Sequence, residues 1–139
     1  MTDIVDKKKR FAIMSGIRSK NTNPELIVRS IAHKLGLRYR LHRVELQGRP
    51  DMVLPKYKTV IFIHGCFWHR HRGCKMSYTP KSNQSFWNEK FSKNIARDTR
   101  NEADLRSQGW RVLKIWECET KDPLYIGRRL EEIFRLRHF

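Results

Sequence analysis

Apolar positions recur with two different periods along this 139-residue chain, and the changes of period mark out its elements. Asn23 followed by Pro24 reads as a helix start, an N-cap and then a proline whose missing N–H costs nothing in the first turn. Leu26, Ile27, Ile31, Ala32 and Leu35 follow at helical spacing, and Gly36 supplies the stop. Residues 38–42 (RYRLH) alternate and read as a strand, and residues 51–54 as another. After a turn at 55–58, residues 59–63 (TVIFI) form a continuous apolar run suited to a strand buried on both faces. The pattern breaks over 65–80 into His, Cys, Gly and basic residues. A long, charge-dense helix is predicted over about 84–108, stopped by Gly109, then a strand at 110–116 (WRVLKIW) and a last helix from Pro123 to about Leu136. Helix, three or four strands, helix, strand, helix predicts an α/β sheet with helices on its faces. No repeat or Pro/Gly/Ser linker interrupts it, so residues 1–139 are read as a single domain.

Charge changes the picture. Thirty Lys and Arg against fourteen Asp and Glu leave a net +16, and the pI is near 10.4. Such an excess points to a polyanionic partner, and an array of phosphates rewards many separate cations through counterion release. A membrane fits less well, because no helix pairs a broad apolar face with a basic one and no apolar run approaches the roughly 18 residues of a span. The start, MTDIVDKKKR, lacks a signal peptide's apolar core, so a cytoplasmic protein is expected. Residues 1–22 carry Lys7, Lys8, Lys9, Arg10, Arg18 and Lys20, which suit either a solvated arm or a DNA-contacting segment.

Three cysteines cannot all pair, so metal ligation explains them better than disulfides in a reducing compartment. Cys66, His71 and Cys74 lie within nine residues, and Cys118 follows directly after a predicted strand. A Cys₃His set suits structural Zn²⁺, which wants four tetrahedral Cys or His ligands. His69 is two residues from His71 and competes with it for the fourth position. A closed shell of four leaves no open position for chemistry, so this metal is assigned to folding.

Acidic residues are scarce, which singles out those at strand starts. Asp51, in Gly48-Arg49-Pro50-Asp51, opens one strand, and the next ends Phe62-Ile63-His64. Phosphodiester cleavage with Mg²⁺ needs an oxygen-rich site with room for water and a phosphate oxygen. Asp51 offers the carboxylate and the Ile63 carbonyl a second ligand, while His64 and His69 can carry protons near working pH. Each has a plainer alternative. An Asp after Pro is more often a turn residue, Glu25 suits a helix's first turn through the dipole alone, and Asp98 reads as a solvated ion-pair partner. His33, His42 and His138 are read as ordinary helix, strand and tail residues. Composition and spacing reach a basic, zinc-stabilised, nucleic-acid-binding α/β domain and stop short of an activity.

The string Gly48-Arg49-Pro50-Asp51, with Val60-Ile61-Phe62-Ile63-His64-Gly65-Cys66-Phe67-Trp68-His69, closely resembles the very-short-patch-repair (Vsr) mismatch endonucleases. Asn23-Pro24-Glu25, Phe86-Trp87, Lys93-Asn94, Arg97-Asp98 and Gly109-Trp110-Arg111-Val112 leading to Trp116-Glu117-Cys118 extend the resemblance over nearly the whole chain. It implies a restriction-endonuclease-like mixed sheet flanked by helices, with a structural zinc site. It also implies a Mg²⁺-dependent enzyme that nicks one strand 5′ to the mispaired T of a T:G mismatch in double-stranded DNA, leaving a 5′-phosphate. In that reading Asp51 binds Mg²⁺, His69 helps activate the water, His64, oriented by Asp98, assists the leaving group, and Glu25 supports the site. Cys66, His71, Cys74 and Cys118 are the zinc ligands. Histidine at position 64 stands where related nucleases carry the lysine of a carboxylate-x-Lys pair.

Phe67, Trp68 and Trp87 would by default be core. In a basic loop beside the candidate site, aromatics can instead wedge between base pairs, at least cost where a mismatch is already weakly stacked. The resemblance implies the wedge and adds Met14 from the opposite groove. Two departures stand out: Arg72-Gly73 lengthens the spacing from His71 to Cys74 relative to the family, and residues 75–82 diverge. A monomer is expected, with downstream repair proteins as further partners. Two other readings stay open, a DNA-distortion-binding module without cleavage and an endonuclease cutting both strands of paired DNA.

Overall fold

A computed structural model describes residues 22–41 and 43–136. Met14, His42, His138 and the basic arm up to residue 21 lie outside the described residues.

Helix α1 spans Asn23–Lys34. Its N-cap is Thr22, one residue before the expected Asn23, and the Thr22 hydroxyl accepts from the Glu25 N–H at 3.4 Å. The shift lets Pro24 sit inside the first turn, where no N–H is needed. Val28 and Ala32 turn inward, while Leu26, expected on the apolar stripe, is 48% exposed. Strand β1 is only Arg40–Leu41 and β2 is Met52–Leu54. A 3₁₀ turn, Pro55–Tyr57, leads through left-handed Lys58 into β3, Thr59–His64. Helix α2, Gln84–Ser107, crosses over to β4, Arg111–Trp116. A second 3₁₀ segment, Glu117–Lys121, precedes α3, Pro123–Phe134, whose cap Asp122 accepts from the Tyr125 N–H at 3.2 Å.

The sheet order is β1-β2-β3-β4, antiparallel between the first three strands and parallel between β3 and β4. The parallel pair runs in register from Thr59 opposite Arg111 to His64 opposite Trp116. As expected for a strand between two layers, β3 buries both faces. Ile61 joins Val28, Met52, Leu54, Ile115, Ile126 and Leu130 beneath α1 and α3, and Val60 and Phe62 join Val53 and Leu105 beneath α2. The period-2 alternation of a strand therefore sends His64 to the α2 side, the same side as Val60 and Phe62. Helices cover both faces of a mixed sheet, the α/β arrangement expected from the order of elements and, in its restriction-endonuclease-like form, implied by the resemblance.

The turn before β2 is tight. Gly48 has φ 73° and Arg49 φ 49°, and a Cβ on Gly48 would come within 3.0 Å of the Asn101 side chain on α2. Glycine meets both demands, the left-handed backbone and the close helix. Pro50 then buries completely, which fixes the entry of Asp51 into the sheet.

Candidate active site

Asp51 stands where β2 begins, and its backbone N–H extends the ladder to the Ile61 carbonyl at 3.0 Å. Its carboxylate reaches along the neighbouring strand and accepts from the Ile63 N–H at 2.7 Å. Glu25, buried on α1, shares a hydrogen bond with it and is itself held by Arg29 at 2.7 Å. Burial, together with the charge of Glu25, pushes the Asp51 carboxyl up to about 7, although the Ile63 N–H pulls the other way. Two carboxyls brought together this way hold a proton between them, which a cation can replace. A divalent ion is the natural occupant, with Asp51 and the Ile63 carbonyl as candidate ligands and Glu25 behind them.

A second cluster lies at the end of β3. His64, His69 and Asp98 bring their ligand or titrating atoms within 4.8 Å of one another. The two imidazoles stack at 3.8 Å between centroids, 8° from parallel. Asp98 hydrogen-bonds His69 rather than His64, its Oδ2 lying 2.6 Å from Nδ1. This corrects the expectation that Asp98 orients His64. Residues 65–68 reverse the chain after β3 and lay His69 over His64, so the carboxylate on α2 meets the upper ring first. His64 Nδ1 is buried without a hydrogen-bond partner among the described residues. Burial, reinforced by His69, pushes His64 down to about 3, so it is neutral in the free protein at pH 7. Burial works to raise Asp98, but the hydrogen bond and charge of His69 outweigh it and hold the carboxylate below its usual range.

The third cluster gathers Cys66, His71, Cys74 and Cys118, with all four ligand atoms within 4.8 Å of one another. His71 Nδ1 lies 3.6 Å from the Cys66 sulfur and 3.4 Å from that of Cys118. His71, not His69, is thus the histidine among the cysteines. The Cys118 N–H points at the Cys66 sulfur at 3.4 Å, while burial, the larger effect, pushes the Cys66 thiol up to about 12. Three soft sulfurs and one imidazole converging on a point fit a tetrahedral metal. Arg72 and Gly73, between His71 and Cys74, form a turn in which Gly73 has φ 73°.

Residues 2–75 match the family described as DNA mismatch endonuclease Vsr. The chain belongs to that family. Among its relatives is the DNA mismatch endonuclease Vsr of Escherichia coli, 42% identical over 118 residues that cover 85% of this chain and 75% of the relative. The type II nicking enzyme V.XorIIP of Xanthomonas oryzae pv. oryzae is 47% identical over 96% of this chain and 97% of its own length. V.NmeAIP of Neisseria meningitidis, also a type II nicking enzyme, is 47% identical over 97% and 96%. Among solved structures, the catalytic domain of the homing endonuclease I-Bth0305I aligns with a TM-score of 0.58 at 23% identity, over 83% of this chain and 96% of that one. That likeness is one of fold. This Vsr-family protein is a DNA endonuclease, and among its described residues no helix is long and apolar enough to cross a membrane.

Beside the Vsr site the aromatic residues form one connected group. Phe67 lies 5.0 Å from Trp68, 5.6 Å from Trp87 and 5.3 Å from Phe91, centroid to centroid. All but Phe91 are partly exposed. Phe91 was missed from the sequence, although it stands four residues after Trp87 on α2, the spacing of side-by-side helical neighbours. Trp116 was read as a strand end and part of the family resemblance, with no role in the site, yet its ring stacks on His71 at 4.2 Å and meets His64 edge-on at 5.2 Å. Glu117 was also missed. Its Oε1 accepts from the Cys66 N–H at 3.3 Å and so anchors the loop between the two clusters.

Proposed function

We propose that this endonuclease nicks one strand of duplex DNA 5′ to the mispaired T of a T:G mismatch and leaves a 5′-phosphate. The observation that carries the proposal is the meeting of a carboxylate, Asp51, with the end of β3 one residue before the stacked pair His64 and His69. Mg²⁺ held by Asp51 and the Ile63 carbonyl would stabilise the charge that develops on the attacked phosphate. Asp98, bonded to His69 Nδ1, turns the opposite ring nitrogen outward as an acceptor, so His69 can take the proton of the attacking water. His64 starts neutral. A phosphate drawn in beside it raises its affinity for a proton, and it then assists the departing oxygen. Glu25 steadies Asp51 from α1.

Zn²⁺ held by Cys66, His71, Cys74 and Cys118 would serve the fold by closing the loop after β3 onto the end of β4. Phe67, Trp68 and Trp87 are read as the wedge that opens the weakly stacked mispair, with Met14 opposite; lysines and arginines on phosphates set the register. The protein acts as a monomer in this reading, and other repair proteins follow the nick.

The test labels each strand of a T:G duplex and of its T:A control and compares wild type with Asp51→Ala in Mg²⁺. A nick confined to the T strand of the mismatch, lost in the variant, is the expected result. Binding without any cut, or equal cutting of both strands of paired DNA, overturns the proposal.

A further inference from the structure

Residues 75–80, which diverge from the family pattern, have no part in the reading above, yet one arginine ties them to the aromatic group. Arg70 has a left-handed backbone, φ 56°, which turns its side chain away from His69 and His71 and under the loop. Its Nη1 donates to the Phe67 carbonyl at 3.2 Å and the Tyr78 carbonyl at 2.9 Å. Its Nη2 donates to the Ser77 carbonyl at 3.0 Å and the Thr79 hydroxyl at 2.9 Å. The guanidinium carbon lies 3.9 Å from the Phe91 ring centroid. With its fork directed at these four acceptors and one face on an aromatic ring, Arg70 is an internal staple rather than a phosphate contact.

The staple presents Tyr78. Tyr78 stays 59% exposed, and its ring lies 5.1 Å from Phe67, at 48°, continuing the row formed by Phe67, Trp68 and Trp87. A ring that far beyond Phe67 is one to two base-pair steps along a duplex, at roughly 3.4 Å a step. Cations lie nearby along the chain and the aromatic row: Arg72 and Lys75 line an open groove of about 620 Å³ that reaches Ser77, the residue before Tyr78, and the Lys90 ammonium lies 5.8 Å from the Trp68 ring. An exposed amphipathic ring on a rigid loop inside a basic surface suits the sugar or base of a nucleotide.

We propose that Tyr78 is a further DNA-contacting residue, held at the rim of the aromatic surface by Arg70, and that it packs against the nucleotide flanking the mispair. Arg70 is its positioning residue. The proposal rests on the mismatch reading for which nucleotide is touched, but not for the contact itself.

The test measures Kd by fluorescence anisotropy on T:G duplexes carrying each of the four flanking pairs, with nicking rates measured alongside. Tyr78→Ala is expected to weaken binding about tenfold, the scale of one lost stacking contact, and to flatten differences among flanks. Tyr78→Phe keeps the ring and is expected to bind within about twofold of wild type. Arg70→Lys loses the fork and should reproduce the alanine loss, with little further loss in the double variant, because both changes remove one contact. Unchanged binding in Tyr78→Ala, or losses at 70 and 78 that multiply, overturns the proposal. A wild type that binds the duplex but never nicks it refutes the mismatch-nicking function instead, and Tyr78 is then still decided by Kd.

Discussion

Asp51→Asn should stabilise the metal-free protein while abolishing nicking. Asp51 is largely buried beside Glu25, and its carboxyl sits at about 7 instead of near 3.8. A displacement of that size corresponds to ionisation made harder by about 4 kcal/mol. The sign follows from linkage. A carboxyl raised in the folded state binds its proton more tightly there than in the unfolded chain, so it opposes folding once the unfolded form ionises. The penalty is absent below pH 4, grows as pH rises through the interval, and is complete above about 7. Asparagine keeps an acceptor for the Ile63 N–H, 2.7 Å away in the parent, and offers an amide donor to the Glu25 carboxylate. Allowing for imperfect amide geometry, the net gain at pH 8 is about 2–3 kcal/mol, or roughly 5–10 °C in Tm.

The assay is thermal unfolding of both proteins from pH 4 to pH 8 without added Mg²⁺. The gap should be small at pH 4 and widest at pH 8. Adding Mg²⁺ should raise the wild-type Tm and leave the variant nearly unmoved, because only the wild type offers the carboxylate. An Asp51→Asn protein that melts at or below the wild-type temperature at pH 8, or a gap that does not change with pH, refutes the account of strain between Asp51 and Glu25.

Asp98→Asn should lower the nicking rate about 100-fold with little change in DNA affinity, since its partner is the His69 ring and a mispositioned base loses most of its contribution; single-turnover rates with saturating enzyme read this directly. Elemental analysis should find one zinc per chain, and Cys118→Ser should lose the metal and melt at least 10 °C lower, because the sulfur bridges two segments of the chain. Trp68→Ala should keep paired-DNA binding but lose most of the preference for T:G over T:A, measured as the ratio of the two dissociation constants. Retention of the full ratio would remove Trp68 from the wedge.

The layers were legible because they follow from periodicity. The TVIFI run became the central strand, and proline marked the first turn of α1 and of α3. Ligand spacing reached the Cys66, His71, Cys74 and Cys118 cluster, leaving only the choice between His69 and His71, which a reversal of the chain decides and a linear spacing does not. The inward face of α2 was hidden by its charge. Phe91, Asn94, Glu102 and Leu105 are buried there, with Asp98 on the same stripe. A helix reads as solvated when its buried positions are polar. Here each has a partner from elsewhere: the Trp68 carbonyl for Asn94, His69 for Asp98, Lys114 for Glu102. Those partners lie 10 to 30 residues away in sequence, beyond any local pattern.

The metal cluster and the histidine pair are separate in composition but not in space, and the parallel strands explain why. β3 and β4 end together, His64 opposite Trp116. Each then turns within two residues to a cysteine, Cys66 from one strand and Cys118 from the other, so a metal there clamps the two strand ends. Trp116 fills the space between the clusters, flat against His71 and edge-on to His64. His64 has no hydrogen bond at Nδ1 among the described residues, and its ring packs among Phe62, Trp116 and His69. Loss of such a clamp would free His71, then the Trp116 ring it supports, then one wall of the His64 site. A metal held by this cluster would therefore bear on catalysis through a single indole. Trp116→Leu should lower the nicking rate at least tenfold with zinc still bound, whereas a zinc-loaded variant of normal rate would show that the two clusters are independent.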